Sequence, residues 1–567
     1  MRDLEIYTVT NDQIAAHFSL LADLLDVHGE NPFKTKSYSS AAYAIERLPK
    51  EIVEMSEGEL ASVRGIGEAI RSKIGELLQT GTLAALQKVE DATPQGILEM
   101  LRIKGLGPKK IAVIWKELGI ETLGELEYAC TEHRLSGLKG FGAKTEANIC
   151  EAIQFFQQSQ GFHLFARAEA VADKILERLR TLFPEARFEI TGEMRRQAEV
   201  VSGIDLLTTA SEHDLRGTFE EVVDATMEWD EDGRILSVRL PGYPLLRLHG
   251  TNNTGFGTAL FRTTGGAAFL EAFAEKYPVL EATEREEEIF EKAGIAVIHP
   301  ALREDAGVLA EARAGSGSGL IQPEDIRGII HSHSTWSDGA NSIEEMARGA
   351  MALGLEYLVI SDHSQAAFYA NGLTPDRVAA QHAEVDALNE KLAPFRIFKS
   401  IEADILADGS LDYGPHVLST FDLVIASVHS NLKMPQEKAM ERLLSAIRNP
   451  YTATLGHMTG RLLLSRPGYP VDHEAIIDAC AEHDVVIEIN ANPRRLDMDW
   501  RWIPYAVERG VMLSINPDAH SVAGFGDVRY GVLAAQKGGL RREGNLSSWG
   551  LEEMEAWVER VKGKRDI

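Results

Sequence analysis

The sequence predicts a multidomain chain of the α+β and α/β classes, with helical hairpin domains at the amino end, a mixed α/β middle and a parallel β/α barrel at the carboxyl end. Three observations predict it. Beyond residue 326, seven short apolar runs each deliver His, Asp or Glu at one end and alternate with helical patterns, as in a barrel whose strand ends converge on one face. Before residue 155 the pattern Gly-hydrophobic-Gly recurs three times, each time opening a helix. Between the two regions stands GSGSG (315–319), the composition of a flexible linker.

Composition sets the bounds. The 567 residues, 44% hydrophobic and 25% charged, fit about four globular domains. Cys130, Cys150 and Cys480, none in a CxxC, argue against a disulfide framework and for a reducing cytoplasm. The opening MRDLEIYTVTND has no apolar signal core, and no apolar run is long enough to span a bilayer, so a soluble cytoplasmic protein with no membrane partner is expected. A net charge of −28 is unusual for a nucleic-acid binder. It requires local concentration of the basic groups, or a substrate reached through metals and backbone amides.

In chain order, residues 11–80 read as four short helices, the first capped by Asn11 and buried through Ile14, Phe18, Leu21 and Leu25. Val63-Arg64-Gly65-Ile66-Gly67 makes the first hairpin, Lys104-Gly105-Leu106-Gly107-Pro108-Lys109-Lys110 the second, and Lys139-Gly140-Phe141-Gly142-Ala143-Lys144 the third. The glycines let the free N–H groups of the following helix approach a phosphate, and the helix dipole adds to the attraction. One such turn reads equally well as a plain helix connection; three with basic flanks point to sequence-independent DNA binding. Residues 11–155 resemble the lyase-like (1–82) and fingers (83–155) domains of family X DNA polymerases. The resemblance implies for Lys73 a Schiff-base role in removing deoxyribose phosphate, for which Arg71 or Lys36 would supply the activating charge. A phosphate contact on a solvated helix face accounts for the same lysine.

The resemblance continues through palm (156–235) and thumb (236–312), with a break. The family's palm carries Gly-Ser, Arg-Arg, Asp-x-Asp and a third Asp on a neighbouring strand, which hold two metals around a triphosphate. TGEMRRQAEVVSGIDLLTTA keeps Gly192, Arg195, Arg196 and Asp205, but Glu193 replaces the Ser, Gly203 the first Asp, and Leu245 in PLLRL the third. One carboxylate cannot hold two ions against their mutual repulsion, and Glu193 repels a triphosphate. TTGG at Thr263–Gly266 is followed by AAFLEAF instead of the family's polar contacts. The palm is therefore expected to be a scaffold without template-directed synthesis, with Arg195 and Arg196 left as DNA contacts. A linker, 313–325, is expected to tether this part to the barrel.

The barrel region, 326–567, opens with GIIHSHSTWSDGANSIEEMARGAMALGLEYLVISDHS (328 onward). His331 and His333 leave one face of a strand end, and Asp338 follows in a Ser-Asp-Gly turn. Ser342 and Glu345 form a capping box for a helix buried through Met346, Ala350 and Met351 and stopped at Gly354, and the next strand ends in Asp362-His363. FKSIE, LVIASVH, TATLGH and VMLSINPDAH add Glu402, His429, His457, Asp518 and His520, and VVIEIN adds Glu488. Mixed imidazole and carboxylate donors suit Zn or Mn and are poor for Mg or Ca alone.

HSHSTWSDG, ISDHS, IEADILADGSLD, ASVHS, GHMTGRLLL, IEINANPRRLD and NPDAH resemble the successive motifs of the polymerase-and-histidinol-phosphatase (PHP) domain fused to bacterial family X polymerases. The resemblance implies a distorted (β/α)7 barrel holding three divalent ions, Mn2+ and/or Zn2+, about 4 Å apart. Their ligands would be His331, His333, Asp338, His363, Glu402, His429, His457, Asp518 and His520, with Glu402 bridging two ions through its two oxygens. Asp362 and Glu488 are expected to fix ligand imidazoles. Arg461 is a candidate clamp on a phosphate oxygen or a surface ion-pair residue, and Arg494, Arg495 and Arg529 are further candidate contacts. Trp336, Phe368 and Tyr369 read either as stacking partners of an unpaired terminal base or as core. The expected function is DNA repair by metal-dependent 3′→5′ exonuclease action on gapped, nicked or 3′-ended DNA, with abasic-site and 3′-end processing implied by the family. A PHP-type small-molecule phosphatase and a gap-filling polymerase with residual activity are the alternatives.

Overall fold

The computed structural model describes residues 10–566 apart from 49, 132–133, 136–137, 139, 221, 223–224, 231, 241–242, 278–280 and 312–318. Two compact units are present, Met1–Gln160 and Gly161–Ile567.

The first unit is helical throughout its described residues. Four α-helices occupy the stretch expected to hold four: Asn11–His28, Pro32–Glu46, Glu57–Ser62 and Glu68–Thr80. Thr10, not Asn11, caps the first, because its hydroxyl accepts from Gln13 N while the Gln13 side chain answers to Thr10 N. Asn11 is buried one position later, where its amide bridges Lys50 O and Ile52 N. The three hairpins share one design. Gly65, Gly105 and Gly140 take φ of +100°, +87° and +89°, which L side chains rarely adopt. The hydrophobic residue after each (Ile66, Leu106, Phe141) is buried as a plug, and its N–H donates to the carbonyl three residues back. Gly67 and Gly107 then cap the helices Glu68–Thr80 and Pro108–Leu118 without a side-chain partner, which leaves the first-turn N–H groups to solvent or a ligand.

In the second unit, a five-stranded sheet has the order Phe188–Thr191, Ile204–Thr208, Leu246–Gly250, Ile235–Arg239, Thr226–Trp229. The barrel has seven parallel strands in chain order: Gly328–Ile329, Tyr357–Ile360, Arg396–Asp404, Leu423–Ser427, Thr454–Leu455, Val486–Asn490 and Leu513–Asn516. The first and last nearly close the ring through the Ser332–Ala519 bridge and the His333 N–H donated to Ala519 O (2.8 Å). Strand alternation layers the interior. Tyr357, Val359, Phe398, Leu423 and Val486 form an apolar floor, sealed by Met554, Trp557, Val558 and Val561 of the carboxyl-terminal helix Leu551–Gly563. Two and four residues past Phe398, Ser400 and Glu402 share its face, so the polar layer lies directly on that floor. Ser342 and Glu345 form the expected capping box. Met351 is 40% exposed, however, because the helix buries only Ile343, Met346, Ala347 and Ala350.

The segment read as a linker behaves differently over the part described. Gly315 to Ser318 lie outside the described residues, but Leu320 pairs with Arg541 and Ile321 is fully buried against the barrel. In place of the expected tether, the core built on the five-stranded sheet and the segment around Glu304 pack directly on the barrel helix Val528–Lys537. Tyr530 and Leu533 join the palm core, Gln536 hydrogen-bonds Gln197 (2.8 Å), and the buried Lys537 ammonium reaches Glu304 (2.5 Å) and Arg196 O (2.9 Å). Arg529, a candidate substrate contact, forms a bidentate pair with Glu169 (2.6 and 2.5 Å).

Candidate metal centre

The nine candidate ligands meet at the carboxyl ends of the barrel strands. His331, His333, His363, Glu402, His457 and Asp518 are buried, and the cluster opens outward at Asp338 and His520, whose side chains are 35% and 42% exposed. Glu402 stands at the centre with its oxygens divided. Oε1 lies 3.1 Å from His429 Nε2 and 3.0 Å from His457 Nε2. Oε2 lies 3.6 Å from His331 Nε2, 3.7 Å from His333 Nε2 and 2.9 Å from His363 Nδ1. Asp518 Oδ1 is 3.6 Å from His331 Nε2 and 3.0 Å from His333 Nε2. Asp338 Oδ1 is 3.4 Å from His520 Nε2 and 3.8 Å from His363 Nε2. Two donors sharing one ion at about 2.1 Å each lie about 3.0–3.4 Å apart, close to most of these separations. His457 (φ +21°) and Asp518 (φ +52°) hold left-handed backbone, the kind of local strain that accumulates at functional sites.

The donor atoms fit a bound cation. His331 Nε2, His333 Nδ1, His363 Nδ1, His457 Nδ1 and Glu402 Oε2 are buried without a hydrogen-bond partner among the described residues, an arrangement that costs free energy unless something else satisfies them. Three sets (His333, Asp338, His363, His520; His331, His333, Asp518; His363, Glu402, His429) each bring one donor atom per residue within 4.8 Å of the others. Burial alone would push His331 down, but Glu488, Asp518 and Glu402 outweigh it and raise its pKa. The same competition, won by Glu402 and Asp404, lifts His429 to about 10. His333, buried beside His520 and His363, falls to about 3 and stays neutral, the form in which imidazole ligates. Glu402 and Asp518 are held well below the carboxylate range despite their burial, because imidazoles surround them.

Around this cluster the structure redistributes several expected roles. Glu488 accepts from His331 Nδ1 (2.7 Å), and is itself held by Asn490 and Asn516 (2.9 Å each). Asp362 does not serve His363: its oxygens accept from Ser334 and Ser337 and from Gln381 Nε2 (2.7 Å), which tie down the turn carrying Asp338. The imidazole partner missed in the sequence is Asp404, 2.7 Å from His429 Nδ1. Its signal was the spacing Glu402-Ala403-Asp404, which puts both carboxylates on one strand face. Arg461 is no free clamp. It donates to Arg495 O (3.0 Å), Asp499 (2.8 Å), Leu496 O and the palm residue Glu199. Arg495 is the arginine beside the cluster, 3.8 Å from Asp518, whereas Arg494 is exposed. Trp336 donates to Glu384 (2.8 Å) and packs on the core.

The palm is closed by its own side chains. Arg247, opposite Asp205 in the register, pairs with both its oxygens (2.7 and 2.8 Å), and His249 adds a third contact (2.8 Å). Burial would raise the Asp205 pKa, but these partners hold it at about 2. A Cβ at Gly203 would lie 2.5 Å from Leu245 O and 3.2 Å from the Arg247 guanidinium, so a first carboxylate has no room. Glu193 accepts from Ser202 N and Oγ (2.6 and 2.8 Å). Arg195 pairs with Glu286 (2.7 Å) and Arg196 with Glu304 (3.1 Å), so neither is the free DNA contact expected.

In the first unit, the glycines Gly65, Gly67, Gly105, Gly107, Gly140 and Gly142 and the lysines Lys104, Lys109 and Lys144 are exposed. Lys110 donates to Gly105 O (3.2 Å), and Lys139 lies outside the described residues. Asp23 and Asp26 line the same groove as the second hairpin, a local offset to its positive charge. Lys73 is half-buried on Glu68–Thr80, and Arg71 donates to Ile66 O (3.2 Å). Among the described residues no helix is long and apolar enough to cross a membrane.

Comparison with known proteins agrees with this anatomy. Residues 9–83 match the helix-hairpin-helix domain family, and residues 97–154 the SAM-like helix-hairpin-helix tandem family. The barrel region is 30% identical to a probable phosphatase of Caldanaerobacter subterraneus over 207 residues, 34% of this chain and 74% of that protein. A probable phosphatase of Vibrio atlanticus gives 30% over 208 residues, 34% of this chain and 76% of that protein. The DNA polymerase/3′-5′ exonuclease PolX of Bacillus subtilis is 33% identical over 561 residues, covering 95% of this chain and 98% of the relative. That end-to-end similarity, with helix-hairpin-helix domains before a PHP-type barrel, shows that the chain is an enzyme of the family X DNA polymerase/3′-5′ exonuclease family.

Proposed function

We propose that the protein is a metal-dependent hydrolase that removes nucleotides from DNA 3′ ends, with its chemistry in the barrel and the palm retained as a scaffold. The observation that carries this reading is Glu402, a fully buried carboxylate whose two oxygens face separate sets of imidazole nitrogens. Divalent ions, Mn2+ and/or Zn2+, would supply Lewis-acid charge for the phosphate and lower the pKa of water toward neutrality. His331, His333 and Asp518 would hold one ion, Glu402 with His429 and His363 another, and Asp338 and His520 with His333 and His363 a third, with His457 beside Glu402. Glu488 and Asp404 hold His331 and His429 in one tautomer each. Arg495, beside Asp518, would contact a non-bridging phosphate oxygen in the role first considered for Arg461. The hairpin amides and lysines of the first unit would grip the DNA backbone without reading sequence. Gapped, nicked, abasic or 3′-blocked repair substrates belong to the same proposal, as do the cytoplasmic setting and a phosphate-contact role for Lys73.

A second reading, a small-molecule phosphatase, is favoured by the probable phosphatases that match the barrel alone. The two separate when chelator-stripped protein is reloaded with Mn2+ and offered 5′-labelled DNA and p-nitrophenyl phosphate side by side. Stepwise shortening at a kcat/KM far above that for the monoester supports exonuclease action. Monoester turnover with intact DNA supports the second reading.

A further inference from the structure

Two aromatic rings stand exposed beside the candidate metal centre. Phe368 is 85% and Tyr369 64% exposed, although apolar area of this size ordinarily gains from burial. Both lie on the short turn Phe368–Ala370, within a loop that begins and ends at the candidate ligand His363. Leu373 N donates to His363 O (2.9 Å), and Ser364 pairs with Leu373. Within the loop Ala367 N donates to Ser364 O (3.1 Å) and Gly372 N to Ala367 O (3.1 Å), while Ala366 N reaches Asp412 (2.8 Å) and the Asn371 amide reaches Trp336 O (3.2 Å). Gly372 packs so tightly that a Cβ would lie 1.9 Å from Ser364 O. Ala367, Ala370 and Leu373 are buried beneath, so the loop is held by its backbone and small residues and does not need the two rings.

Tyr369 adjoins the site, and Phe368 adjoins Tyr369. The Tyr369 centroid is 6.4 Å from the His363 imidazole and 6.1 Å from Phe368 in an edge-to-face pair. The contact with His363 puts Tyr369 next to the position a phosphodiester held by the cluster would take.

We propose that Phe368 and Tyr369 form a subsite for the unpaired base of a DNA strand's 3′-terminal nucleotide. The proposal rests on the hydrolysis of DNA 3′ ends proposed above and adds its positioning element. Every base presents a π-face, so such a platform selects a splayed end without selecting sequence, in keeping with the hairpins' indifference to sequence.

The test uses full-length, Mn2+-loaded protein and 5′-labelled single strands that end in a normal nucleotide or in a tetrahydrofuran abasic analogue. Wild type is expected to favour the base-bearing end by about five- to tenfold, mainly in KM, the lower part of the range for stacking one base. Phe368→Ala and Tyr369→Ala should each erode that preference by slowing the base-bearing end more than the abasic end, and Phe368→Trp should restore it. Variants that keep the preference, or that slow both ends equally, overturn the subsite. Hydrolysis of both ends by wild type without preference defeats the subsite alone, and hydrolysis of neither defeats it together with the exonuclease reading. Melting curves that match wild type show that the variants are folded.

Discussion

Restoring the missing palm carboxylate is expected to fail on steric grounds. In Gly203→Asp the new Cβ must occupy a point 2.5 Å from Leu245 O, inside contact distance for carbon and oxygen. That carbonyl is fixed because it accepts Ile204 N at 2.7 Å where the two strands pair. Charge is not the obstacle, since the Arg247 guanidinium lies 3.2 Å away. The strands must part, and overpacking of this kind costs about 1–3 kcal/mol. Urea unfolding should show that loss as a lower midpoint at unchanged slope. Primer extension with Mn2+ and nucleotides should stay absent even with Leu245→Asp added, because Asp205 remains neutralised by Arg247 and His249. A double variant of wild-type stability that extends a primer would refute the reasoning that the palm is sterically closed.

Other consequences are as specific. Asp404→Ala should weaken Mn2+ activation about 10- to 100-fold, the usual effect of losing an imidazole's outer partner, and titration calorimetry would read it directly. Asp205→Asn should destabilise the second unit by about 2–3 kcal/mol by leaving Arg247 without its charge partner. Because the folded pKa of Asp205 is depressed to about 2, the stability it adds is present above the ordinary carboxylate pKa and is lost as pH falls through about 2. Comparing unfolding of wild type and variant across that range should show the two curves converge. Arg461→Met alone should cost about 3–5 kcal/mol by stranding buried Glu199, and adding Glu199→Leu should recover most of it; two additive losses would contradict the pairing.

How far the sequence carried depends on the range of each interaction. Strand period and strand length are local properties, so the polar ends of seven apolar runs located the cluster residue by residue, and Glu402 stood out because only a carboxylate offers two oxygens to two ions. The hairpins were legible for the same reason: a glycine at positive φ and a buried plug are set within a few residues. Asp362 and Asp404 were harder, since both follow or precede a ligand by one or two positions and only the three-dimensional neighbours decide which imidazole each one meets. The partners of Arg195, Arg196, Arg461 and Arg529 lie far along the chain, and periodicity carries no trace of them. The docked stretch after Gly319 misled for a related reason, because Gly-Ser composition reports local freedom and is silent about what Ile321 packs against.

The most direct measurement of the central claim is a primer-template assay on metal-stripped protein given Mn2+ and all four nucleotides, comparing wild type with His331→Ala, Glu402→Gln and Asp205→Asn. Wild type and Asp205→Asn are expected to shorten the primer stepwise, and His331→Ala and Glu402→Gln to leave it intact. Primer extension that disappears in Asp205→Asn, or shortening that survives the loss of Glu402, would contradict that claim.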